Sequence, residues 1–419
     1  MKYHFIGDRG VSMRGLKEYM ELMGHNVSGS DLKSGGHQAK NVLEGTDIVV
    51  RTSAVSPGSP GWVEVEESNR RGIKVIKRSE LLGEITQDKH LVAVSGMHGK
   101  TTITAMAGLL LDKAGYDPTV LVGEEIKEFG GVLRFGRSDW FVAEVCEYDR
   151  SFLDVYPEIL ILTNIEEEHL DTYPGGLPEI TEAFADYLKH VSSNGAIIYC
   201  HDDTNVRELV EGSDSKAKKI PYGFSSEKYN SFIYDLSIPG NHNIQNALAI
   251  VALADQLGIG DDALKSVFAT FTGAHRRFEL VGKYNGADLI DDYGHHPSEI
   301  KATIDALSER YPDKRKYVVF WPHQYKRIRS LLSKFTRSFD GASEVIVKPI
   351  YFVPGRDEKV DIDSQDLVDG INNGKQLAKL MDDDNAIVSY LSEHLDADSV
   401  LLTIGIPPVY LIAQELASR

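Results

Sequence analysis

The sequence has little cysteine and no long apolar run. Only two of its 419 residues are cysteines, Cys146 and Cys200, and neither is part of a zinc-type spacing. A disulfide framework is therefore excluded. No apolar run approaches the ~20 residues that span a bilayer, and the opening MKYHFIGDRG lacks the apolar core of a signal peptide. These absences predict a protein of the reducing cytoplasm.

The chain also lacks net positive charge. Its formal charge is −18 and its isoelectric point is about 5.2. We therefore expect neither nucleic acid nor a membrane surface as a partner. A small anionic substrate stays possible where basic residues cluster. The length of 419 residues predicts two or three domains.

Short β-branched runs alternate with helical patterns along the whole chain. This alternation is typical of an α/β protein with mostly parallel sheets. Such sheets bind ligands at the carboxyl ends of their strands. Polar links near 84–90 and 271–279 predict three domains, 1–88, 89–273 and 274–419. The predicted strands are 3–7, 47–53, 90–96, 140–145, 158–165, 196–200, 287–293, 316–321, 343–349 and 399–405.

The segment SGMHGKTT, residues 95–102, lies between a predicted strand and a predicted helix. A phosphate-binding loop needs backbone N–H groups, a helix N-terminus, a lysine and a hydroxyl for magnesium. Lys100 and Thr101 supply the last two. The usual first glycine of the motif is replaced by Val94, so the turn is shorter. The alternative is a chance Gly-Lys-Thr at a helix start.

Side chains that could bind a metal ion follow two neighbouring predicted strands. Glu144 and Glu147 follow one, and His169 follows the other. Carboxylate oxygens suit Mg²⁺, which commonly bridges a protein and nucleotide phosphates. For Glu166 and Glu167 we favour a plainer interpretation, a solvated helix start.

Asparagines and basic residues cluster downstream. Asn243 and Asn246 enter a predicted helix, where asparagine either pairs with an adenine edge or caps the helix. Two further runs, HRRFE (275–279) and HQYKR (323–327), carry arginines suited to phosphate or carboxylate forks. Two basic runs at strand ends predict an anion-lined cleft.

In the order of its segments the chain resembles the Mur ligase family, from Tyr3 to about Leu416. The segments are GMHGKTT, EVCEYDRSFL, TNIEEEHLDTY, PGNHNIQNALA, GAHRRFE, DDYGHHPSEIKAT and WPHQYKR. The resemblance implies a Rossmann-like UDP-sugar-binding domain, a P-loop ATPase-like central domain, and a Rossmann-like C-terminal domain that closes on the amino acid and nucleotide. It also explains Val94, because this family's loop lacks the early glycine.

The resemblance implies an ATP-dependent amide ligase of peptidoglycan precursor synthesis. ATP would phosphorylate the carboxylate of UDP-N-acetylmuramate, and the amine of a small amino acid, L-alanine first, would attack the acyl phosphate. The implied cofactors are ATP and Mg²⁺, and the implied assembly is a monomer or weak homodimer. Two alternatives stay open: a related ligase that adds another amino acid or a recycled peptide, and a nucleotide-binding regulatory relative without ligase activity.

The resemblance also assigns residues to each part of the site. Implied catalytic residues are Lys100, His169, His295, His323 and Arg327. Implied ATP-binding residues are Gly96, His98, Gly99, Lys100, Thr101, Thr102, His242, Asn243, Asn246, Arg277 and Asp292. Implied metal ligands are Thr101, Glu144 and His169. Implied UDP-sugar contacts are Gly7, Gly10, Gly15, Asp31, Ser53 and Ala54. Implied amino-acid contacts are Tyr293, His295 and Arg327.

Three segments depart from the family pattern. The N-terminal loop reads GDRGVSMRG instead of a pattern like GIGGIGMSG, so Arg9 and Arg14 add charge and bulk. HQYKRI replaces a pattern like HRYSRT, and Gln324 therefore removes a fork donor. GIPPV (405–409) replaces a turn like GAGD, and its prolines remove backbone donors.

Overall fold

The computed structural model describes residues 1–231, 233–352, 357, 359–374 and 376–419. The chain forms two compact units. The first unit contains Met1–Ser237 and Asn243–Thr272, and the second contains Ile238–His242 and Gly273–Arg419.

The first unit begins with a four-stranded parallel sheet in the order β2-β1-β3-β4. Its strands are β1 (Lys2–Ile6), β2 (Asn26–Ser30), β3 (Ile48–Arg51) and β4 (Lys74–Lys77). Its helices are α1 (Val11–Leu22), α2 (Trp62–Arg70) and α3 (Arg78–Thr86).

A seven-stranded sheet follows in the same unit, in the order β11-β10-β9-β5-β8-β6-β7, with only β7 antiparallel to its neighbour. Its strands are β5 (His90–Ser95), β6 (Thr119–Ile126), β7 (Gly131–Arg134), β8 (Trp140–Glu144), β9 (Ile159–Leu162), β10 (Ala196–Cys200) and β11 (Lys218–Tyr222). The helices are α4 (Lys100–Lys113), α5 (Leu177–Leu188), α6 (Thr204–Gly212), α7 (Asn241–Leu257) and α8 (Asp261–Thr270).

The second unit contains a six-stranded sheet in the order β12-β13-β17-β14-β15-β16, parallel except at β12. Its strands are β12 (Glu279–Tyr284), β13 (Ala287–Asp292), β14 (Arg315–Phe320), β15 (Glu344–Val347), β16 (Ala378–Leu380) and β17 (Ser399–Ile404). Its helices are α9 (Pro297–Arg310), α10 (Tyr325–Phe335), α11 (Ser364–Asn372), α12 (Asp384–His394) and α13 (Tyr410–Ala417).

The central strands are apolar along their length because both faces of a parallel sheet are covered. All four residues of β9 and all five of β10 are buried. The helix α4 is buried from Thr101 to Leu111. The predicted α/β class is therefore confirmed, and each predicted domain range contains one sheet. The exact domain boundaries stay predictions.

The sequence prediction of a helix start at Glu166 and Glu167 is wrong. These residues lie in irregular structure after β9, and the next helix, α5, begins at Leu177. The chain stays irregular here instead of turning into a helix, and the neighbouring Glu168 is buried. Within the described residues, no helix is long and apolar enough to cross a membrane.

The two sheets of the first unit share one apolar core. Helix α1 packs on β6 and β7, and Tyr19 contacts Phe141 edge-on at 5.7 Å between ring centroids. At Gly83, helix α3 lies very close to the backbone of Asp154. A Cβ built on this glycine would lie 2.1 Å from the backbone carbonyl oxygen of Asp154. Only glycine therefore fits this contact without moving the backbone.

The Gly83→Ala variant tests this backbone contact. Alanine favours a helix interior over glycine by about 1 kcal/mol, but overpacking against backbone typically costs about 1–3 kcal/mol. We expect the clash to dominate and the urea midpoint of unfolding to fall. The matched control is Glu84→Ala on the same helix, which loses only an exposed ion pair with Lys74. A Gly83→Ala protein as stable as wild type would contradict the contact.

Candidate active site

The predicted phosphate loop joins β5 to α4 through four residues, Gly96–Gly99. Both glycines have positive φ, +126° at Gly96 and +81° at Gly99. Side chains are also excluded: a Cβ at Gly96 would lie 2.1 Å from Thr163 Oγ1, and one at Gly99 would lie 2.6 Å from Asn246 Oδ1. The loop therefore requires glycine at both ends for two independent reasons.

Val94 lies inside β5, where it pairs with Glu144 of β8 and Ile161 of β9. The turn begins only at Gly96, two residues later. The place of the usual first glycine is thus a strand position, which explains how the loop can do without it.

The two residues that follow β9 hold the phosphate loop in place through hydrogen bonds. Met97 N donates to the Asn164 carbonyl at 3.1 Å, and His98 N donates to Asn164 Oδ1 at 2.8 Å. Thr163 Oγ1 donates to the His98 carbonyl at 2.8 Å. Sequence reasoning gave Thr163 and Asn164 no role. Their position at the end of the predicted strand 158–165 was the available signal.

Lys100 is bent back onto its own loop. Its ammonium lies 3.0 Å from Glu147 Oε2 and also donates to the carbonyls of Gly96 and Met97. Burial alone would lower the pKa of Lys100, but the combined effect of Glu147, Cys146 and Glu144 outweighs it and raises that pKa. Lys100 is therefore a fixed positive charge at the start of α4.

Glu147 connects Lys100 to His169. Its side chain is 1% exposed, and Oε1 lies 3.1 Å from His169 Nε2. Burial by itself would raise the pKa of Glu147, but Lys100 and His169 together lower it to about 2. The Tyr173 hydroxyl donates to the Glu147 backbone carbonyl at 2.6 Å. The residue that the sequence left without a definite role thus lies at the centre of this cluster.

His169 itself has a positive φ of 54°, which is rare for a residue other than glycine. Its ring contacts Tyr148 edge-on at 5.1 Å between centroids. Backbone strain of this kind is concentrated at functional sites. The strained residue here is one of the predicted ion ligands.

The other two predicted ion ligands meet each other. Thr101 Oγ1 donates to Glu144 Oε2 at 2.8 Å, and Gly123 N donates to the same oxygen at 3.1 Å. A hydroxyl and a carboxylate at the first turn of α4 fit the hard oxygen ligands that Mg²⁺ prefers. The predicted set therefore divides into Thr101 with Glu144 and His169 with Glu147.

The residues predicted to face adenine lie at the start of α7. The helix already begins at Asn241, so Asn243 lies inside the first turn, where it is buried. Asn246 lies against the phosphate loop at Gly99, and Thr102 is buried in the first turn of α4. Their contacts with the nucleotide stay predictions.

In the second unit, Asp292 organises the turn after β13. Its carboxylate accepts hydrogen bonds from Gly294 N at 2.7 Å and Phe278 N at 2.9 Å. Burial raises its pKa to about 6, against the opposing charge of Arg277.

Burial also lowers the pKa of His242 to about 4, and Arg277 acts in the same direction. His242 is consequently neutral at physiological pH.

The adjacent arginines have different environments. The Arg276 guanidinium is buried, donates to Asp291 at 2.8 Å, and donates to the carbonyls of Gly405 at 2.6 Å and Ile406 at 3.0 Å. It therefore holds the turn that contains the two prolines. Arg277 is 28% exposed and contacts Glu299 at 3.4 Å, so it retains access to solvent.

The predicted amino-acid residues come together at the ends of β13 and β14. The rings of His295 and His323 lie 5.3 Å apart, and those of Tyr293 and His295 lie 5.8 Å apart. Arg327 Nη1 lies 2.8 Å from His323 Nε2. Gln324 precedes α10 with φ 65°, and its N–H donates to the Tyr351 carbonyl at 3.0 Å. This hydrogen bond fixes the backbone of Gln324, the residue that departs from the family pattern.

The glycine-rich N-terminal loop packs on the end of β2. Gly7 N donates to the Ser30 carbonyl at 2.7 Å, and Gly10 N donates to the Gly7 carbonyl at 3.1 Å. Gly15 is on the buried face of α1, where a Cβ would lie 2.5 Å from Leu121 Cδ1. Close packing therefore explains this glycine, and its contact with a UDP-sugar stays a prediction. Arg14 is paired with Glu125 at 2.7 Å.

The other predicted UDP-sugar residues lie in two turns. Asp31 begins a short 3-10 turn and accepts a hydrogen bond from Lys33 N at 2.8 Å. Ser53 and Ala54 follow β3, and Ala54 N donates to Thr52 Oγ1 at 3.0 Å.

Sequence reasoning missed a buried carboxylate next to these turns. Glu64 of α2 is 0% exposed. Its oxygens accept hydrogen bonds from Ser30 Oγ at 2.7 Å, Asn41 Nδ2 at 2.8 Å and Gln38 N at 3.0 Å. His4 Nε2 lies 2.9 Å away. One glutamate inside an otherwise ordinary helical run gave no sequence signal for this network.

Comparison with known proteins gives matches along most of the chain. Residues 2–90 match the family model "Mur ligase family, catalytic domain", residues 94–254 match "Mur ligase middle domain", and residues 276–406 match "Mur ligase, glutamate ligase domain". The UDP-N-acetylmuramate–L-alanine ligase of Caldanaerobacter subterraneus subsp. tengcongensis is 39% identical, over 99% of this chain and 96% of the relative. That of Alkaliphilus metalliredigens is 38% identical, over 99% and 97%.

Solved structures show the same fold. A UDP-N-acetylmuramate–alanine ligase from Thermotoga maritima has a TM-score of 0.83 at 23% identity and covers 100% of this chain and 99% of its own. A murein peptide ligase from Psychrobacter arcticus has a TM-score of 0.71 at 21% identity, with 100% and 98% covered. The resemblance that the sequence motifs indicated is thereby confirmed, and the chain belongs to the Mur ligase family.

Proposed function

We propose that this chain is an ATP-dependent amide ligase that joins L-alanine to UDP-N-acetylmuramate, in the cytoplasm, during peptidoglycan precursor synthesis. The observation that carries the proposal is the cluster of Lys100, Glu147 and His169 at a glycine-bounded phosphate loop. The 39% identical relative with that activity aligns with 99% of this chain, which supports the choice of substrates.

Phosphoryl transfer depends mostly on positioning and charge neutralisation. The N–H groups of the loop and the N-terminus of α4 would bind an anion. Lys100 would leave the loop carbonyls and Glu147 to bind the β- and γ-phosphates. Thr101 and Glu144 would hold Mg²⁺, whose chemistry at this site is to supply positive charge for the phosphates. The transfer yields an acyl phosphate on the UDP-sugar acid and releases ADP.

The second unit would supply the groups for the amino acid. Arg327 can bind an α-carboxylate, and its contact with His323 fixes the direction of its guanidinium. Tyr293 and His295 would bound the small side chain. The amine then attacks the acyl carbon, the C–N bond forms, and phosphate leaves from the tetrahedral intermediate. We assign Arg277, Asp292 and His242 to the nucleotide.

The Lys100→Ala variant tests the phosphate loop. We expect kcat to fall by about 100-fold or more, because one lost electrostatic contact in the transition state costs about 3 kcal/mol. Initial rates of ADP release with both substrates measure the effect. The control is Lys113→Ala at the other end of the same helix, where the lysine is exposed. A folded Lys100→Ala protein with wild-type turnover would refute the loop's role.

The His169→Ala variant tests the second part of the ion site. We expect kcat to fall and its dependence on free Mg²⁺ to weaken, while the Kd for ATP changes little. The reason is that His169 is predicted to bind a second ion at the transferred phosphate rather than the nucleotide itself. Calorimetric ATP titration and rates across a magnesium series give the two readouts. The control is His90→Ala, on an exposed histidine; an unchanged kcat in His169→Ala would contradict the role.

The Gln324→Arg variant tests amino-acid recognition. An arginine restores a planar fork for a carboxylate, so the KM for L-alanine should fall. Gln324→Lys adds the charge without the fork and should help less. A panel of amino acids and muropeptides, assayed with UDP-N-acetylmuramate, identifies the acceptor. If only a peptide or a charged amino acid gives product, L-alanine is the wrong substrate, although the ligase assignment survives.

A further inference from the structure

The segment 31–41 follows β2 and carries Asp31. It is built from two short 3-10 turns, Leu32–Ser34 and Ala39–Asn41. Between them, Gly35 and Gly36 have φ of +100° and +76°. The hydrogen bonds inside the segment, such as that from Asn41 Nδ2 to the Gly36 carbonyl at 3.0 Å, join it only to itself. The position of the segment therefore depends on what anchors its two ends.

Both ends are anchored to the same buried carboxylate. Before the segment, Ser30 Oγ donates to Glu64 Oε2 at 2.7 Å. At its far end, Gln38 N and Asn41 Nδ2 donate to Glu64 Oε1 at 3.0 Å and 2.8 Å. His37 Nδ1 lies 3.4 Å from Oε1. Glu64 thus closes the segment into a loop between its two oxygens.

The loop fixes Asp31 directly. Asp31 is the next residue after Ser30, and its backbone carbonyl accepts hydrogen bonds from Ser34 N and Gly36 N, both at 3.0 Å. Its carboxylate accepts from Lys33 N. A displacement of Ser30 or Gln38 would therefore move Asp31 together with the turn.

Glu64 is charged at neutral pH. Burial alone would raise its pKa, but the hydrogen bonds from His4, Ser30, Asn41 and Gln38 lower it to about 2. A buried charge is an inefficient way to stabilise a fold, because its desolvation offsets much of the gain. Glu64 accepts hydrogen bonds from both ends of one loop. This arrangement indicates that its carboxylate positions the loop.

We propose that Glu64 is a positioning residue for the UDP-sugar: it holds the 31–41 loop by both ends and so places Asp31 against the nucleotide sugar. The inference rests on the proposed function, which supplies the ligand. Glu64 itself is 0% exposed and does not touch the ligand.

The Glu64→Met variant keeps the length of the side chain and removes both acceptors. We expect KM for UDP-N-acetylmuramate to rise about tenfold or more, since small misplacements of a binding group have effects of that size. The kcat at saturation and the KM for ATP should stay within about twofold of wild type. A purely structural role would instead lower the active fraction, and with it kcat, at unchanged KM. Glu66→Met, on the exposed face of α2, is the matched control.

Hydrogen–deuterium exchange of the ligand-free protein gives an independent readout. Amides of residues 32–41 should exchange faster in Glu64→Met, and those of α4 should not. If Glu64→Met does not fold, Asn41→Ala removes one arm of the anchor, together with the Asn41 Nδ2 hydrogen bond to the Gly36 carbonyl, and should show the same pattern with a smaller rise in KM. Unchanged UDP-sugar KM and unchanged exchange would overturn the proposal. A wild-type protein that binds no UDP-sugar would overturn the proposed substrate, and with it the ligand assigned to the loop, whatever the exchange result.

Discussion

The buried ion pair between Lys100 and Glu147 is the constraint on which the phosphate loop of the first unit depends. The pair lies 3.0 Å apart, and the Glu147 side chain is 1% exposed. Removal of one partner from such a pair costs on the order of 3–5 kcal/mol, because the other charge stays buried. Glu147 also contacts His169, so one carboxylate sets the positions of two side chains of the proposed active site.

Buried carboxylates have the same use elsewhere in the chain. Glu64 holds the 31–41 loop, Asp292 accepts the backbone donors of the turn after β13, and Asp291 binds Arg276. Asp291 and Asp292 are the last residues of β13, and Glu64, in α2, accepts a hydrogen bond from Ser30 at the end of β2. At such strand ends the backbone leaves the sheet and loses its regular hydrogen bonds. An acceptor fixed by the core replaces those bonds and thereby gives a loop a defined position.

The fold could be predicted well where strands are buried on both faces. The sequence predicts ten of the seventeen strands in the described residues, with ends that agree or differ by up to three residues. The missed strands include the interior strand β6, which reads TVLVGEEI, and two edge strands, β2, which reads NVSGS, and β16, which reads AKL. Edge strands bury less surface and pair on one side only, so their sequences carry little apolar pattern.

The sequence by itself determined the α/β class and the family, and it nominated the phosphate loop and the residues of the candidate site, because these are set by local patterns and motifs. Only the tertiary structure decided which side chains meet. It brought Thr101 to Glu144 and His169 to Glu147. It paired the Arg276 guanidinium with a backbone carbonyl 130 residues away, and it anchored both ends of the 31–41 loop on Glu64. Such partners are distant in the chain, and one buried charge can bind several of them. A local sequence pattern cannot record these contacts.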